Sequence, residues 1–286
     1  MQNRFNNKTI QLAITLSKGT FDDKSNTKII EGLACEVAIE KPGLPDKNGA
    51  EVKIWGLKSE DMGALTMLSF RPTESQHNLI SIKAGEGGKA PTLIFQGEII
   101  RASADFNELP DPCMQLEAES GSYPQQISLP MLTVKGEAEA EGLFRQFAEA
   151  AGYSFINQGV SAKVLNGCYP GSPVDKMLKL AKDIGCELFI DDGVVLTLPA
   201  GRARAGGVTT LSKDSGLIGY PTFTQDGISC KSLFNPKLSY GGLINVQSAV
   251  PGATGLWKIT KLSHRLSAWL PSGGSWESQV EAAYNG

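Results

Sequence analysis

A helix followed by a strand occurs twice in the middle of the chain, and this repeat limits the folds that the region can adopt. The first copy has apolar residues at helical spacing, then a glycine suited to ending a helix, then the strand-like segment YSFI. Its positions are Phe144, Phe147, Ala148, Ala151 and Gly152.

The second copy begins thirty-three residues later, with Met177, Leu180, Ala181, Ile184, Gly185 and then CELFI. Ser172 is a suitable N-cap for its helix, Pro173 suits the first helical turn, and Asp175 lies at the third position. Two copies are too few for a solenoid, which needs at least about three repeats to bury its faces. We therefore predict a small α+β domain over about residues 130–200, with VVLTLP as a further strand and both helices on one side of a sheet.

Alternating apolar and polar residues dominate the chain before this repeat. Residues 10–16 and 33–39 alternate as half-buried antiparallel strands do, and turn residues precede a third strand, EVKIWGL. A short helix is predicted from Ser59, with Met62, Leu65 and Met67 on its apolar face. Strand patterns resume in LISIKAG and in TLIFQGEIIRASADF, and the polar stretch 21–28 is predicted to be a loop.

Strand patterns also dominate the chain after the repeat, beyond the linker GRARAGG. In the last strand one face is formed by Trp276, Ser278, Val280, Ala282 and Tyr284. The C-terminal part is too short for a large sandwich of its own, so we expect its strands to pair with the N-terminal ones. The predicted class is β-rich α+β, with an N-terminal β domain at 1–127, an inserted α+β domain at 128–202 and a C-terminal β domain at 203–286.

The charge distribution disfavours a nucleic-acid binder, and the absence of long apolar runs disfavours a membrane protein. The formal net charge is −3, and residues 1–127 contribute −4 of it. Proteins that bind the phosphate backbone tightly need clustered lysine and arginine, which no segment supplies. No run of about 18 apolar residues and no signal-peptide h-region occurs, so we expect synthesis in the cytoplasm without membrane insertion.

The residue types that metal sites and nucleophilic catalysis require are sparse. Five cysteines are widely spaced and lack a C-x-x-C pair, so reduced thiols are expected. The only histidines are His77 and His264, and neither lies beside a nucleophile motif. We expect His264 to lie on a sheet face with a hydrogen-bond partner.

Other polar motifs have ordinary structural explanations. The glycine-rich stretch 83–91 lacks the Walker A spacing and is predicted to be a hairpin or surface loop. Asp191 and Asp192 precede a glycine, which is typical of a hairpin turn. The acids at 137, 139 and 141 lie where their negative charges complement a helix dipole. The sequence leaves open a pair of glycosidase carboxylates, because two such carboxylates need to be close only in space.

The aromatic residues of the C-terminal strands fit either a core or an interface. They are Phe223, Phe234, Tyr240, Trp257, Trp276 and Tyr284. Most are expected in the core. No catalytic, cofactor-binding or metal-binding residue is predicted.

The order of segments resembles the baseplate hub proteins of contractile-tailed bacteriophages and their prophage relatives. The likeness lies in ITLSKGTF, IIEGLACEVAIEKPG and AEVKIWGLKSEDMGALTML near the start, and in residues 216–248 and 255–282 near the end. It covers most of the chain outside the middle region, whose units are more weakly similar to the ring-building modules of secretin-type proteins.

The resemblance implies a structural, non-enzymatic virion protein with no cofactor. It implies a homotrimeric hub in which each chain supplies two tube-protein-like β-barrel domains, so that three chains match a sixfold tail tube to a threefold spike. Implied partners are the tail tube protein, the central spike protein, other baseplate proteins and a tape measure protein in the lumen. DNA would pass without specific binding, and assembly would occur in the host cytoplasm.

Two alternatives come from other functional classes. A tail-associated cell-wall hydrolase would need lytic activity despite the two histidines and the absence of a nucleophile motif. A secretin-like envelope ring protein would need export, which the lack of a signal peptide disfavours.

Overall fold

The computed structural model describes residues 7–21, 25–66, 77–106 and 111–285. Alternating apolar residues in both the N-terminal and C-terminal regions form strands of one large sheet. Its N-terminal strands are β1 (Lys8–Thr15), β2 (Thr27–Glu31), β3 (Cys35–Lys41), β4 (Gly49–Trp55), β5 (Leu79–Glu86), β6 (Thr92–Asp105) and β7 (Cys113–Glu119).

The middle of the chain contributes the shorter strands and most of the helical residues. Its strands are β8 (Leu132–Thr133), β9 (Glu137–Glu139), β10 (Ser154–Asn157), β11 (Lys163–Leu165), β12 (Cys168–Tyr169), β13 (Cys186–Asp191) and β14 (Val194–Pro199). The helices among the described residues are α1 (Ser59–Thr66), α2 (Ser122–Gln126), α3 (Ala140–Ala150) and α4 (Pro173–Ile184).

The C-terminal region returns to the large sheet. Its strands are β15 (Thr209–Leu211), β16 (Leu217–Phe223), β17 (Ile228–Leu233), β18 (Leu243–Val246), β19 (Gly255–Ala268) and β20 (Trp276–Tyr284). The order across the sheet is β16-β17-β20-β19-β3-β4-β7-β6-β5-β1-β2, while β18 pairs with β19 and β15 pairs with β18.

One ladder joins the two ends of the chain. Strands β3 and β19 pair antiparallel from Lys41 opposite Leu262 to Cys35 opposite Ala268. The expected pairing of C-terminal with N-terminal strands is therefore confirmed. A single apolar cluster crosses the ladder, because Leu266 and Trp276 pack with buried N-terminal residues such as Val37 and Ile39.

The described strands do not close into a barrel. Strands β2 and β16 lie at opposite ends of the strand order and do not pair with each other among the residues that the structure describes. The observed arrangement is thus a long, open, mostly antiparallel sheet with a few helices, in which only the β15-β18 ladder is parallel among the described strands of this sheet.

The middle region has the predicted helix-strand repeat. Helices α3 and α4 pack on each other and on one face of the sheet β10-β14-β13, where Phe144, Met177 and Val195 are buried. The opposite face of that sheet carries Phe189, Leu196 and Leu198, which form an apolar cluster with Tyr240. Burial on both faces explains the nearly continuous apolar sequence of β13 and β14.

The predicted ends of α4 are both present. The Ser172 side chain accepts a hydrogen bond from the Asp175 amide, and the Asp175 side chain accepts one from the Ser172 amide, which completes a capping box. Gly185 ends the helix with φ of 67°, a conformation that costs a residue with Cβ about 1–2 kcal/mol.

One detail differs from the sequence predictions, and another falls outside the residues that the structure describes. Thr27 and Lys28 belong to strand β2 rather than to the predicted loop, because they pair with Thr15 and Ile14 of β1. Met67 of the predicted helix lies outside the described residues, whereas Met62 and Leu65 are buried as expected.

Within the part of the chain that the structure describes, no helix is long and apolar enough to span a bilayer.

Two glycine-to-alanine substitutions should change stability in opposite directions. Gly185→Ala should lower the free energy of unfolding by about 1–2 kcal/mol, because it places Cβ in the left-handed region. Gly142→Ala in α3 should raise it by about 0.5 kcal/mol, because that glycine has ordinary helical dihedrals and open space at Cβ. Urea unfolding of both variants measures the two changes in free energy of unfolding. Two changes of the same sign would contradict the assigned helix ends.

Candidate assembly surfaces

One face of the large sheet is polar along several adjacent strands. Alternation places Glu36 and Glu40 of β3 on the same face as Glu51 and Lys53 of β4. The register extends this face across the chain junction, because Arg265 lies opposite Ala38 and Glu277 lies opposite Arg265. The two terminal regions therefore present a single continuous surface.

Carboxylates outnumber cations on this polar face. The carboxylates are Glu36, Glu40, Glu51, Glu98, Glu117, Glu119, Glu277 and Glu281, and the cations are Lys53, Arg101, Lys231, Lys258, Lys261 and Arg265. Several are paired, including Arg101 with Glu117 at 3.0 Å and Lys231 with Glu277 at 2.7 Å. Among the described residues, no cation lies within 4.0 Å of the carboxylates of Glu36, Glu40 and Glu51.

The polar face is concave near the chain junction. Three adjoining depressions of about 360, 350 and 300 Å³ all border Arg265. Ala38 and Glu51 line two of them. Such wide, polar depressions fit an extended surface better than a pocket for a small apolar ligand.

Both ends of the large sheet expose apolar side chains. On β16, Tyr220 is 71% exposed and Phe223 is 58% exposed, and on β2, Ile29 is 63% exposed. Unpaired edge strands offer free backbone donors and acceptors to another strand. These two edges are therefore candidate surfaces for chain-to-chain contact.

The hairpin between β13 and β14 holds a buried ion cluster that sequence reasoning missed. Lys41 Nζ lies 2.6 Å from Asp191 Oδ1 and 3.0 Å from Asp192 Oδ2. Arg204 Nη1 donates to Asp191 Oδ2 at 2.9 Å, and the amide of Gln96 donates to Asp192 Oδ1 at 2.9 Å. The predicted turn at Asp191 and Asp192 is confirmed, but these carboxylates also bind residues from distant parts of the chain.

The shifted pKa values in this cluster follow from burial and from the opposing charges. Burial alone would raise the pKa of Asp191, but Lys41 and Arg204 outweigh it and hold the pKa below its usual value. Burial and the neighbouring Asp191 raise the pKa of Asp192 despite Lys41. The pKa of Lys41 is raised, because the two aspartates outweigh the effect of its burial. Sequence alone gives no signal for this cluster, because Lys41 is 150 residues from Asp191.

His264 has the structural role expected of it. Its imidazole is buried and Nδ1 lies 2.8 Å from Ser278 Oγ, while Phe234 packs edge-on against the ring. Burial, together with the positive charge of Lys41, lowers the pKa of His264 to about 3. The imidazole is therefore neutral in the folded protein near pH 7.

The other histidine and the glycine-rich stretch also have structural positions. His77 stacks on Tyr123 with ring centroids 4.3 Å apart, and its Nε2 lies 3.7 Å from Glu98. The stretch 83–91 forms the hairpin between β5 and β6, as predicted. The two histidines lie in separate environments.

The acids considered for catalysis form surface ion pairs. Lys163 lies 2.9 Å from Glu137 and 3.6 Å from Glu139, and Arg145 lies 2.9 Å from Glu141. Within the described ranges no three histidine, cysteine or acidic side chains are grouped so as to hold a metal ion. Cys35, Cys113 and Cys230 are buried cysteines, while Cys168 is exposed and Cys186 is half-buried.

The C-terminal aromatic residues divide between core and surface. Phe234, Trp257 and Trp276 are buried, and Tyr240 packs on Phe189 with centroids 4.9 Å apart. Phe223 and Tyr284 are exposed, at 58% and 70%. The exposed pair fits the interface interpretation that the sequence left open.

A family model described as baseplate hub gp41 matches residues 9–269. No curated protein matches the chain by sequence. The family match covers nearly all of the chain, including the middle repeat.

Solved structures of tail proteins share the fold. A tail protein from Neisseria meningitidis MC58 aligns with a TM-score of 0.64 and 10% identity over 96% of both chains. The 43 kDa tail protein of prophage MuSo2 from Shewanella oneidensis aligns with a TM-score of 0.62 and 9% identity over 96% of this chain and 97% of that one. An Escherichia coli type VI secretion component, described as similar to the T4 tail proteins gp27 and gp5, aligns with a TM-score of 0.58 and 9% identity over 94% of this chain and 76% of its own.

The pKa of His264 should make stability depend on pH in the acidic range. Because the folded pKa of about 3 lies below the unfolded value of 6.5, only the unfolded chain binds this proton between those values. The contribution of His264 to the free energy of unfolding should therefore fall by about 1.4 kcal/mol per pH unit as the pH drops from 6 to 4.

The measurement is urea unfolding at several pH values for the parent chain and for His264→Gln. The difference in free energy of unfolding between them should vary with the stated slope. Ser278→Ala is the matched control, because it removes the hydroxyl partner and keeps the titrating imidazole. A His264→Gln variant with the parental pH dependence would contradict the assignment.

Proposed function

The chain belongs to the baseplate hub gp41 family, and from this membership we propose that three copies form a closed ring that adapts a sixfold tail tube to a threefold spike. The family and the tail-protein neighbours identify a structural, non-enzymatic protein of the phage tail or baseplate. In the proposed ring each chain contributes two tube-protein-like units, one built mainly from residues 1–127 and one completed by residues 203–286.

The observation that carries this proposal is the continuous open sheet, whose strand order ends at β2 and at β16 among the described residues, with a short branch through β18 to β15. Strands from both ends of the chain share the β3-β19 ladder, so one chain spans two strand sets without a break. Within the described ranges β2 and β16 each pair with a single strand, and these two edges differ from each other, as a head-to-tail contact requires. Such contacts close into a ring when the rotation between successive units is correct.

The polar face supports a role as the wall of the channel. Its carboxylates exceed its cations, and Glu36, Glu40 and Glu51 lie near the concave centre with no ion-pair partner in the part of the chain that the structure describes. DNA binds where clustered cations release its counterions. A wall with this charge allows DNA to pass without adhering, and it leaves the lumen open to a tape measure protein before ejection.

The proposed partners follow from the family membership. The two rims of a ring face neighbouring rings along the tail axis, so we assign one to the tail tube protein and the other to the central spike protein, with other baseplate proteins around the outside. The fold of this chain is similar to that of a chain in a structure described as a lidless PdpA-VgrG complex. The two align with a TM-score of 0.60 and 9% identity over 97% of this chain and 65% of that one. Assembly would take place in the host cytoplasm, before the virion is released.

Substitutions at the two sheet edges should prevent ring formation without unfolding the chain. The parent chain alone should give a mass of three times 30.5 kDa, about 92 kDa, by light scattering, and a complex with its spike should give that mass plus the mass of the spike. Tyr220→Asp or Ile29→Asp should shift that mass to the monomer, because each places a charge on an exposed edge. Ile156→Asp is the matched control, since Ile156 is also exposed but lies on β10 of the middle sheet.

A parent chain that stays monomeric with both tube and spike proteins would remove the ring proposal. A trimer that tolerates both edge substitutions would leave a ring but assign its contacts elsewhere. Circular dichroism of each variant confirms that the fold is retained.

Charge reversal on the polar face should slow genome ejection and leave assembly intact. Phage carrying Glu36→Lys, Glu40→Lys and Glu51→Lys should eject DNA more slowly, and added salt should reduce the defect because it weakens phosphate contacts. Reversal of Glu137, Glu139 and Glu149 in the middle region is the matched control with equal charge change. Parental ejection kinetics in the first set would show that this face does not line the channel.

A further inference from the structure

The hairpin between β13 and β14 lies at a gap along one side of β19. Strand β18 pairs with β19 from Gly255 to Lys258, and β3 pairs with it only from Leu262 onward. Between them the register of β19 with β20 shifts, between Ile259 and Lys261. The N-terminal and C-terminal strand sets separate at this point, and Lys41 is the last residue of β3 there.

One side of the hairpin holds the N-terminal strands. Lys41 of β3 contacts both aspartates of the hairpin, and the backbone amide of Gln96 on β6 donates to Asp192. Asn48 Nδ2 donates to the carbonyl of Ile190 at 3.1 Å. The approach is close, because a Cβ on Gly193 would lie 3.3 Å from the Gln96 side chain.

The other side of the same hairpin holds the C-terminal strands. Lys258 Nζ lies 2.6 Å from Glu187 of β13, and Phe189 packs on Tyr240. The Arg204 amide donates to the Gly241 carbonyl at 2.8 Å, while its guanidinium binds Asp191. A Cβ on Gly241 would lie 2.6 Å from Phe189, so this contact is also tight.

We infer that the β13-β14 hairpin is a clamp that fixes the angle between the two strand sets where β3 and β18 separate along β19. The contacts on both sides come from one rigid two-stranded element, so its rotation would break both together. The Lys41 ammonium and the Asp191 carboxylate are both buried, and separating them exposes each to a medium that solvates charge poorly. The clamp therefore resists bending of the sheet at the gap.

The consequence of this clamp for assembly rests on the proposed function, a closed ring of three chains. In a ring of six similar units, an error in the angle inside each chain is repeated three times around the circle. A ring closes only if the rotations sum to a full turn. The middle region would then be needed for ring closure, although it need not line the channel or form the edge contacts.

The test uses the full chain with Asp191→Asn and Asp192→Asn together. These substitutions remove both carboxylates and alter no strand of the large sheet. A second variant adds Lys41→Gln, so that no ammonium is left buried without a counter-charge. Glu277→Gln is the matched control, because Glu277 pairs with Lys231 on the same sheet and does not touch the hairpin.

The readout is amide hydrogen exchange along the β3-β19 ladder. Amides near Lys41 and Leu262 should exchange at least about tenfold faster in both hairpin variants, while those near Cys35 and Ala268 should keep the parental rate. The control should leave both ends unchanged. Equal acceleration at the two ends, or none, would overturn the inference, and so would failure of both variants to fold.

Light scattering on the same proteins separates the clamp from the ring. If the parent forms a trimer, the folded hairpin variants should give monomers or open oligomers in place of a single 92 kDa species. A parental trimer in the hairpin variants would overturn the clamp while the ring proposal stands. A monomeric parent would remove the ring, and the exchange result would still decide the clamp.

Discussion

Backbone pairing between β3 and β19 is the constraint on which the rest of the structure depends. It joins residues separated by most of the chain, and it turns two sets of strands into one sheet with an apolar cluster that crosses the ladder and one continuous polar face. Everything between those strands must therefore begin and end near the same place. The end of the middle region satisfies this condition, because its last hairpin contacts both sets of strands.

The local structure was largely predictable from the sequence, because its signals are local. Alternating apolar residues specify strands, and Ser172 with Asp175 and Gly185 specify the ends of a helix through bonds within a few residues. The hairpin at Asp191 and Asp192 was likewise predicted as a turn. Its ionic partners were not, because nothing in the sequence near Lys41 identifies a residue 150 positions away. Strand β2 shows a related limit, since Thr27 and Lys28 are polar residues that become a strand through pairing with β1.

The candidate surfaces differ in how far sequence could specify them. The excess of acidic residues in the N-terminal part was visible as composition, but only strand register shows that Glu36, Glu40 and Glu51 share a face. The exposed aromatic residues could not be separated from the buried ones by pattern, because Phe223 and Phe234 both occur in strand-rich sequence. Their difference comes from position: Phe223 ends an edge strand, whereas Phe234 packs between Trp276 and His264. Family likeness indicated the assembly role, and geometry indicates which residues would carry it.

The long separation of β3 and β19 also has a consequence during synthesis. Strand β3 leaves the ribosome about 220 residues before β19, so at roughly 5–20 residues per second it waits on the order of 10–40 s for its partner. During that time one side of β3 is an open edge on a nascent protein, and open edges pair with other chains. The charges along this edge belong to Glu36, Glu40 and Lys41. They discourage pairing with an apolar strand of another nascent chain on a neighbouring ribosome. The same residues that later line a surface or hold the hairpin thus protect the half-made sheet from aggregation.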